Sequence, residues 1–156
     1  MISTTPLENE CFYHVYNRGN NGELIFKEHD NYNYFLKLLA RYILHVADVY
    51  AYNLLNNHFH LLVKIKDFEN IKAEQAFSNL FNAYVKAFNK KYNRTGKLFE
   101  ERFKRKKISD DFYLTEIIYY IHLNAQKHKL ISDFRDYQYC SYKSILSLQK
   151  TRQQRE

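Results

Sequence analysis

The chain has 156 residues, of which 46% are hydrophobic, and this is the size and apolar content of one compact domain. No apolar run is long enough to span a membrane, the amino terminus lacks the pattern of a signal peptide, and Cys11 and Cys140 lie too far apart in sequence to indicate a zinc site. The net charge of +7 favours a polyanionic partner, and the composition as a whole predicts a reduced, cytoplasmic setting.

The amino-terminal part begins with a strand pattern and continues with a helix pattern. Residues 11–17 alternate in polarity and are rich in β-forming side chains, and the glycines and asparagines that follow predict a turn. From Asp30 to about His45, apolar side chains recur at helical spacing, and Asp30 is the expected N-cap. The sequence therefore predicts a strand, a loop and a helix of about four turns.

A β-hairpin is predicted next, from residues 47–55 and 58–66, and its second strand opens with a His-Phe-His sequence. Because side chains alternate across a strand, His58 and His60 share one face, about 7 Å apart, while Phe59 faces the core. Two imidazoles at this spacing can bind one metal ion. An exposed pair of histidines on a sheet face is the alternative.

The second half of the chain is mostly helical. Residues 71–91 return to a helical period, which residues 93–96 break. The basic stretch at 98–108 fits either a loop or a short hairpin, and Asp111 is expected to cap a third helix over 112–127.

The order of these elements is strand, helix, strand, strand, helix, helix. An antiparallel sheet accommodates that order, and we predict a ferredoxin-like α+β domain with helices packed on one face of the sheet. The single domain is expected to span residues 1–148. Residues 149–156 are wholly polar and charged, which predicts a disordered tail.

Positive charge is concentrated between Lys86 and Lys107, where ten basic residues stand against two acidic ones. A solvated helix face is one interpretation of such a run. Aromatic rings stand among the cations, however, and this mixture suits the unstacked bases and charged backbone of a single nucleic-acid strand. In a chain with 15 Tyr and 12 Phe, core packing is the alternative for these rings. They are Phe88, Tyr92, Phe99 and Phe103.

The predicted third helix carries a polar stripe, because Glu116, Tyr120, Asn124 and His128 are each four residues apart. If this helix packs beside the hairpin, the amide oxygen of Asn124 can complete a metal site with the histidine pair and hold Tyr120 beside the ion. Two nitrogens and one amide oxygen suit Mg²⁺ or Mn²⁺. Ordinary packing is the alternative role for a tyrosine on a helix.

Five segments, in one order over residues 11–146, resemble the single-tyrosine HUH transposases, specifically the REP-associated tyrosine transposase group and its insertion-sequence relatives. The family usually has proline at two positions where this chain has Asn56 and Ala125, and neither position carries chemistry. The segments are YHVYNRGNNGELIF at 13–26, AYNLLNNHFHLLVKI at 51–65, NRTGKLFEERFKRKKI at 93–108, YLTEIIYYIHLNAQKHKL at 113–130 and DYQYCSYKSIL at 136–146.

The resemblance implies an enzyme that cuts and rejoins single-stranded DNA bearing a hairpin, with Mg²⁺ or Mn²⁺ as cofactor. It makes His58, His60 and Asn124 the metal ligands and Tyr120 the nucleophile, which forms a 5′-phosphotyrosine. Members of such families include monomers and homodimers, and the sequence leaves that choice open. The candidate DNA contacts are Arg18, Lys97, Arg102, Lys104 and Arg105.

Three other functions remain open at this stage. A domesticated protein of the same fold would bind a DNA hairpin without cutting it. A rolling-circle initiator or relaxase shares the histidine pair and the tyrosine but usually carries a further helicase or primase domain, for which the chain has no room. An RNA-binding protein could have a similar sheet, but no matching aromatic motif lies on a predicted strand.

Overall fold

Strands and helices alternate along the chain in the computed structural model, which describes residues 5–67 and 72–144. The tail predicted at 149–156 lies outside the described residues. The elements are β1 (Phe12–Arg18), α1 (His29–Ile43), β2 (Ala47–Leu54), β3 (His58–Ile65), α2 (Ala73–Lys91), β4 (Lys104–Ile108) and α3 (Asp111–Lys127), with 3₁₀ turns at Asn20–Gly22 and Phe134–Asp136.

The strands form one antiparallel sheet in the order β2-β3-β1-β4. With α1 between β1 and β2 and α2 between β3 and β4, this is the ferredoxin-like arrangement, so the predicted α+β fold is confirmed. The basic stretch whose structure was ambiguous in the sequence becomes the edge strand β4, which pairs with β1 from Tyr16 opposite Lys104 to Phe12 opposite Ile108.

Alternation along the strands gives the sheet two different faces. One face carries Tyr13, Val15, Phe59 and Leu61, all fully buried in the main hydrophobic core with residues of α1 and α2. The other face carries the two histidines of β3.

The prediction of helices on one face holds for α1 and α2 but not for α3. Ile117 and Ile121 of α3 form a separate small core with Ala51 and Leu62, on the face opposite to α1 and α2. The physical reason is that these sheet side chains are apolar and need cover, which the apolar stripe of α3 supplies. This helix therefore covers the histidine face of the sheet.

Two helix caps differ from the predicted ones. Glu28, not Asp30, is the N-cap of α1, in a capping box with Asn31. Asp110, not Asp111, caps α3, and its carboxylate accepts hydrogen bonds from the backbone N–H groups of Phe112 and Tyr113 at 2.8 and 3.3 Å.

The segment that follows α3 forms hydrogen bonds along the free edge of β2. The N–H of Ser141 donates to the carbonyl of Tyr52 at 3.0 Å, and the N–H of Leu54 donates to the carbonyl of Tyr139 at 2.9 Å. The hydroxyl of Tyr137 donates to the carbonyl of Leu54 at 2.6 Å. These bonds satisfy an exposed sheet edge and tie the segment after α3 to the sheet. Within the described ranges, no helix has the length and apolar character needed to cross a bilayer.

Candidate metal and nucleophile site

The two histidines of β3 point toward α3. Their ring centres are 5.2 Å apart, and the ring planes are almost perpendicular, at 89°. His58 is half-buried and His60 is buried. Burial is the main cause that lowers the pKa of both imidazoles, and together with the charges of neighbouring histidines it brings that of His60 to about 2. Both rings are therefore neutral at neutral pH, the form in which imidazole binds metal ions.

Asn124 brings an amide to the same place from α3. Its side chain is fully buried, and its Oδ1 lies 3.2 Å from Nε2 of His58. The same side chain also lies close enough to His60 to act on the pKa of that ring. The predicted meeting of His58, His60 and Asn124 therefore occurs in the fold.

In the contact between His58 and Asn124, a ring nitrogen and an amide oxygen point their lone pairs at each other. His58 faces an accepting amide oxygen at each ring nitrogen, Oδ1 of Asn57 at 2.8 Å from Nδ1 and Oδ1 of Asn124 at 3.2 Å from Nε2, and we assign the single proton of the neutral ring to Nδ1, toward the closer oxygen. Nε2 then presents a lone pair to the Asn124 oxygen. A cation between these atoms satisfies both, and adjacent donor atoms of an octahedral ion are about 3 Å apart.

The donor set thus fits Mg²⁺ or Mn²⁺ as two imidazoles and one amide oxygen. In the part of the chain that the structure describes, no group of three or more His, Cys, Asp or Glu side chains is arranged to hold a metal ion. The Nδ2 atom of Asn124 is buried and has no hydrogen-bond partner among the described residues. The set leaves coordination positions for water and a phosphate.

Tyr120 lies at the edge of this site, one helical turn before Asn124. Its ring centre is 5.8 Å from that of His60, and the residue is 37% exposed, so it is accessible to a substrate. The ammonium group of Lys127 lies 5.2 Å from the ring centre. The preceding residue, Tyr119, is 59% exposed and points away, toward Phe134. The helix therefore offers one tyrosine to the site.

His14 of β1, for which the sequence left a core position and a place lining the site both open, joins the site. Its Nε2 lies 2.9 Å from Nδ1 of His60, and burial lowers the pKa of His14 to about 4. One ring donates and the other accepts in this bond. The alternation of β1 indicated that His14 and Tyr16 share a face, but only the pairing of β1 with β3, in which Tyr16 lies opposite His60, brings the two imidazoles together.

Charged side chains form the rim of the cleft in front of His58, His60 and Tyr120, which has a volume of about 460 Å³. Arg18 and Lys104, two of the predicted DNA contacts, lie at this rim.

Glu100 joins these two rim cations. Its carboxylate binds Arg18 Nε at 2.5 Å and Lys104 Nζ at 2.7 Å. Glu100 had no assigned role from the sequence.

The other predicted DNA contacts lie elsewhere. Lys97 and Arg102 line a neighbouring cleft beside α2, where Lys97 is paired with Glu101 at 3.2 Å.

Arg105 is not brought to the site. Its side chain is only 8% exposed, lies over the ring of Phe103 at 3.9 Å and reaches Glu74 at 4.0 Å, on the α1 and α2 side of the sheet. Alternation along β4 is the reason, since it sends Lys104 and Lys106 to one face and Arg105 to the other.

The rings interleaved with the cations are mostly core. Phe88, Phe99 and Phe103 are buried, and Tyr92 is partly buried against them. This pattern therefore reflects packing under a basic surface, the alternative that the aromatic content had left open.

A solved structure of a REP-associated tyrosine transposase bound to a REP hairpin is similar to this chain over almost its whole length. The match has a TM-score of 0.73, covers 94% of this chain and 86% of that chain, and has 13% sequence identity. This chain has the fold of that transposase. No protein-family model and no curated protein matches the sequence. At this identity the likeness establishes the fold that the resemblance predicted, and the activity rests on the site.

Proposed function

We propose that this protein is a single-tyrosine HUH transposase of the REP-associated group, which cleaves and rejoins single-stranded DNA bearing a hairpin. The convergence of His58, His60 and Asn124 beside Tyr120 carries this proposal. The fold supports it, since the similar solved protein is a transposase bound to a REP hairpin. The protein would act in the cytoplasm as one domain.

In this proposal His58, His60 and Asn124 hold the metal ion. When bound there, Mg²⁺ or Mn²⁺ supplies positive charge that neutralises a scissile phosphate and stabilises the leaving oxygen. Asn57 and His14 hold the two imidazoles in place through the second nitrogen of each ring. Arg18 and Lys104 bind neighbouring phosphates at the rim of the cleft.

The hydroxyl of Tyr120 carries out the covalent step. Its oxygen loses a proton and forms a bond to phosphorus, while the bond from phosphorus to the 3′ oxygen breaks and that oxygen takes up a proton. The products are a 5′-phosphotyrosine and a free 3′ hydroxyl. The reverse step, with another 3′ hydroxyl, rejoins DNA without an external energy source.

The distance of 5.8 Å between the rings of Tyr120 and His60 within one chain supports attack in cis, whether the protein is a monomer or a homodimer. Mixing Tyr120→Phe with His60→Ala protein tests this. Attack in cis predicts that the mixture stays inactive, because neither chain has both groups. Recovery of activity in the mixture would show that the tyrosine acts on the site of a partner chain.

The covalent adduct is the decisive observation for the proposed function. The protein is incubated with Mn²⁺ and labelled hairpin oligonucleotides drawn from the repeats that flank its own gene, and the products are separated on a denaturing gel. We expect a labelled protein band with the wild type and with Tyr119→Phe, and none with Tyr120→Phe or in excess EDTA. A band that persists in Tyr120→Phe would refute the assigned nucleophile.

The alternative is a domesticated protein that binds a DNA hairpin and does not cut it. Its signature in the same experiment is tight binding of the hairpin by wild-type protein with no adduct in Mn²⁺ or Mg²⁺. Neutral histidines that face an amide oxygen beside a partly exposed tyrosine favour the enzyme.

A further inference from the structure

Tyr120 stands between two clefts, of which the proposed function uses one. The first cleft is the one already described, with Arg18 and Lys104 at its rim. A second cleft of about 430 Å³ lies on the other side of the tyrosine, between β4 and α3. Tyr16, His60 and Tyr120 line both clefts. The two spaces therefore meet at the proposed nucleophile.

The edge strand β4 runs past both clefts and gives each of them a lysine. Lys104 lines the first cleft and Lys106 lines the second. The two lysines lie on the same face of the strand, opposite Tyr16 and His14 of β1, and are about 7 Å apart along it. The next residue, Lys107, lies on the opposite face and pairs with Glu8 at 2.9 Å.

The walls of the second cleft have the chemistry of a nucleotide site. Lys106 Nζ lies 5.0 Å from the ring centre of the half-buried Tyr113, and the buried Ile117 forms an apolar floor. An ammonium group binds a phosphate, and an aromatic ring beside it accepts an unstacked base. Glu116 of α3 also lines this cleft. Its charge repels phosphates, so the DNA backbone should follow β4 rather than α3.

We propose that the second cleft binds the DNA segment on the other side of the scissile phosphate. One strand then passes over Tyr120, with the nucleotides before the cut in one cleft and those after it in the other. This inference rests on the proposed function and adds a substrate site to it. Because both new ends stay bound after the cut, the free 3′ hydroxyl remains next to the phosphotyrosine and can rejoin.

The salt dependence of DNA binding tests the second cleft without any cutting. The protein carries Tyr120→Phe throughout, and its affinity for a fluorescent single-stranded 12-mer of thymidine is measured by anisotropy from low to high salt. Loss of one phosphate contact lowers the slope of log K against log salt by about 0.7 for a single strand. We expect this loss in Lys106→Gln and in Lys104→Gln, and about twice this loss in the double variant.

Lys107→Gln is the matched control, since it removes a neighbouring charge on the same strand from the opposite face. Its slope should equal that of the parent. An unchanged slope in Lys106→Gln, or an equal loss in Lys107→Gln, overturns the second cleft and leaves only a generally basic surface.

An aromatic substitution tests the base site in the same assay. Replacing Tyr113 with leucine should weaken binding about tenfold, because an aromatic ring under a base is lost. Tyr119→Leu is the control, since this exposed tyrosine of the same helix lines neither cleft. Equal affinity of the two variants contradicts the base site.

The two proposals fail in different experiments. If the wild-type protein forms no adduct but Lys106→Gln shows the expected loss of salt dependence in DNA binding, the enzyme is rejected and the DNA-binding cleft is retained. Adduct formation together with an unchanged slope in Lys106→Gln retains the enzyme and rejects the second cleft.

Discussion

His14 determines which nitrogen of His60 is free. The bond of 2.9 Å between His14 Nε2 and His60 Nδ1 contains one proton. When His60 donates that proton, its Nε2 keeps a lone pair for a metal ion. A ligating histidine that donates through its second nitrogen is better oriented and more basic. His14 is therefore a positioning residue in the proposed site.

Replacing His14 with phenylalanine keeps a ring in the same space and removes the acceptor. We expect the Kd for Mn²⁺ to rise about tenfold, because the orientation of His60 is no longer fixed. Calorimetric titration of Mn²⁺ measures this without any reaction. His45→Phe, at an exposed histidine after α1, should bind Mn²⁺ as the wild type does. Wild-type affinity in His14→Phe would reduce His14 to a packing residue.

Glu100 competes with DNA for the cations of the first cleft. Hydrogen bonds from Lys104 and Arg18 lower the pKa of its carboxyl, so it is charged at neutral pH and neutralises both side chains. A phosphate must displace this carboxylate.

The Glu100→Gln variant should therefore bind single-stranded DNA about fivefold more tightly at moderate salt, with a steeper salt dependence. Anisotropy titrations measure both quantities. Glu8→Gln is the control, since Glu8 pairs with Lys107 on the opposite face from the clefts. Weaker binding by Glu100→Gln would mean that Glu100 mainly orients the two cations.

The residue types of the site were predictable from the sequence, and their meeting followed only on the condition that α3 packs beside the hairpin. Alternation along β3 gives the shared face of His58 and His60, and helical spacing joins Tyr120 to Asn124. Only tertiary packing brings the two pairs together. The ambiguous stretch before α3 hid the alternation of β4, and for that reason Arg105 was grouped with Lys104 although its side chain lies on the other face.

At the level of elements, α3 is the part that makes the site possible. It covers the histidine face of the sheet, whereas the predicted fold had helices on one face only. An amphipathic pattern shows which side of a helix is buried but not which face of a sheet it covers. The hydrogen bonds of Tyr137 and Ser141 to β2 hold the segment after α3 against the edge of the sheet.

The N-cap of α3 should contribute measurably to stability. Asp110→Ala removes the acceptor of two backbone N–H groups and should lower the free energy of unfolding by about 1 kcal/mol. Asp110→Asn keeps an accepting oxygen and should lose only a few tenths of that amount. Urea unfolding followed by circular dichroism distinguishes them. Equal losses in the two variants would indicate that charge, and not capping, stabilises the helix.

For the whole molecule, the histidine face makes the fold sensitive to acid. Burial lowers the pKa of His122 and of His14 to about 4, and that of His60 further. In the unfolded chain these groups titrate near 6.5. The unfolded state therefore takes up protons first as the pH falls. The contribution of these neutral histidines to the free energy of unfolding is fully present above about pH 6.5 and is lost progressively from there toward pH 4.

His122 allows this effect to be separated from the proposed metal site. His122 lies on the opposite side of α3 from Tyr120. It is buried and shares a hydrogen bond of 2.7 Å with Ser141 Oγ. Between its unfolded and folded pKa values, each histidine that stays neutral in the fold lowers the free energy of unfolding by about 1.4 kcal/mol for each unit that the pH falls. Between pH 7 and pH 5, His122 should account for a loss of about 2 kcal/mol.

Replacing His122 with glutamine removes the titrating group and keeps a side chain that can bond to Ser141. The variant should lose stability at pH 7, because packing is disturbed, but its free energy of unfolding should fall by about 2 kcal/mol less than that of the wild type on going to pH 5. Urea unfolding at both pH values measures the difference, with the exposed His45→Gln as control. If His122→Gln and wild type lose the same amount, the acid sensitivity comes from the histidines around the site, and the polar face under α3 limits the pH range of the whole fold.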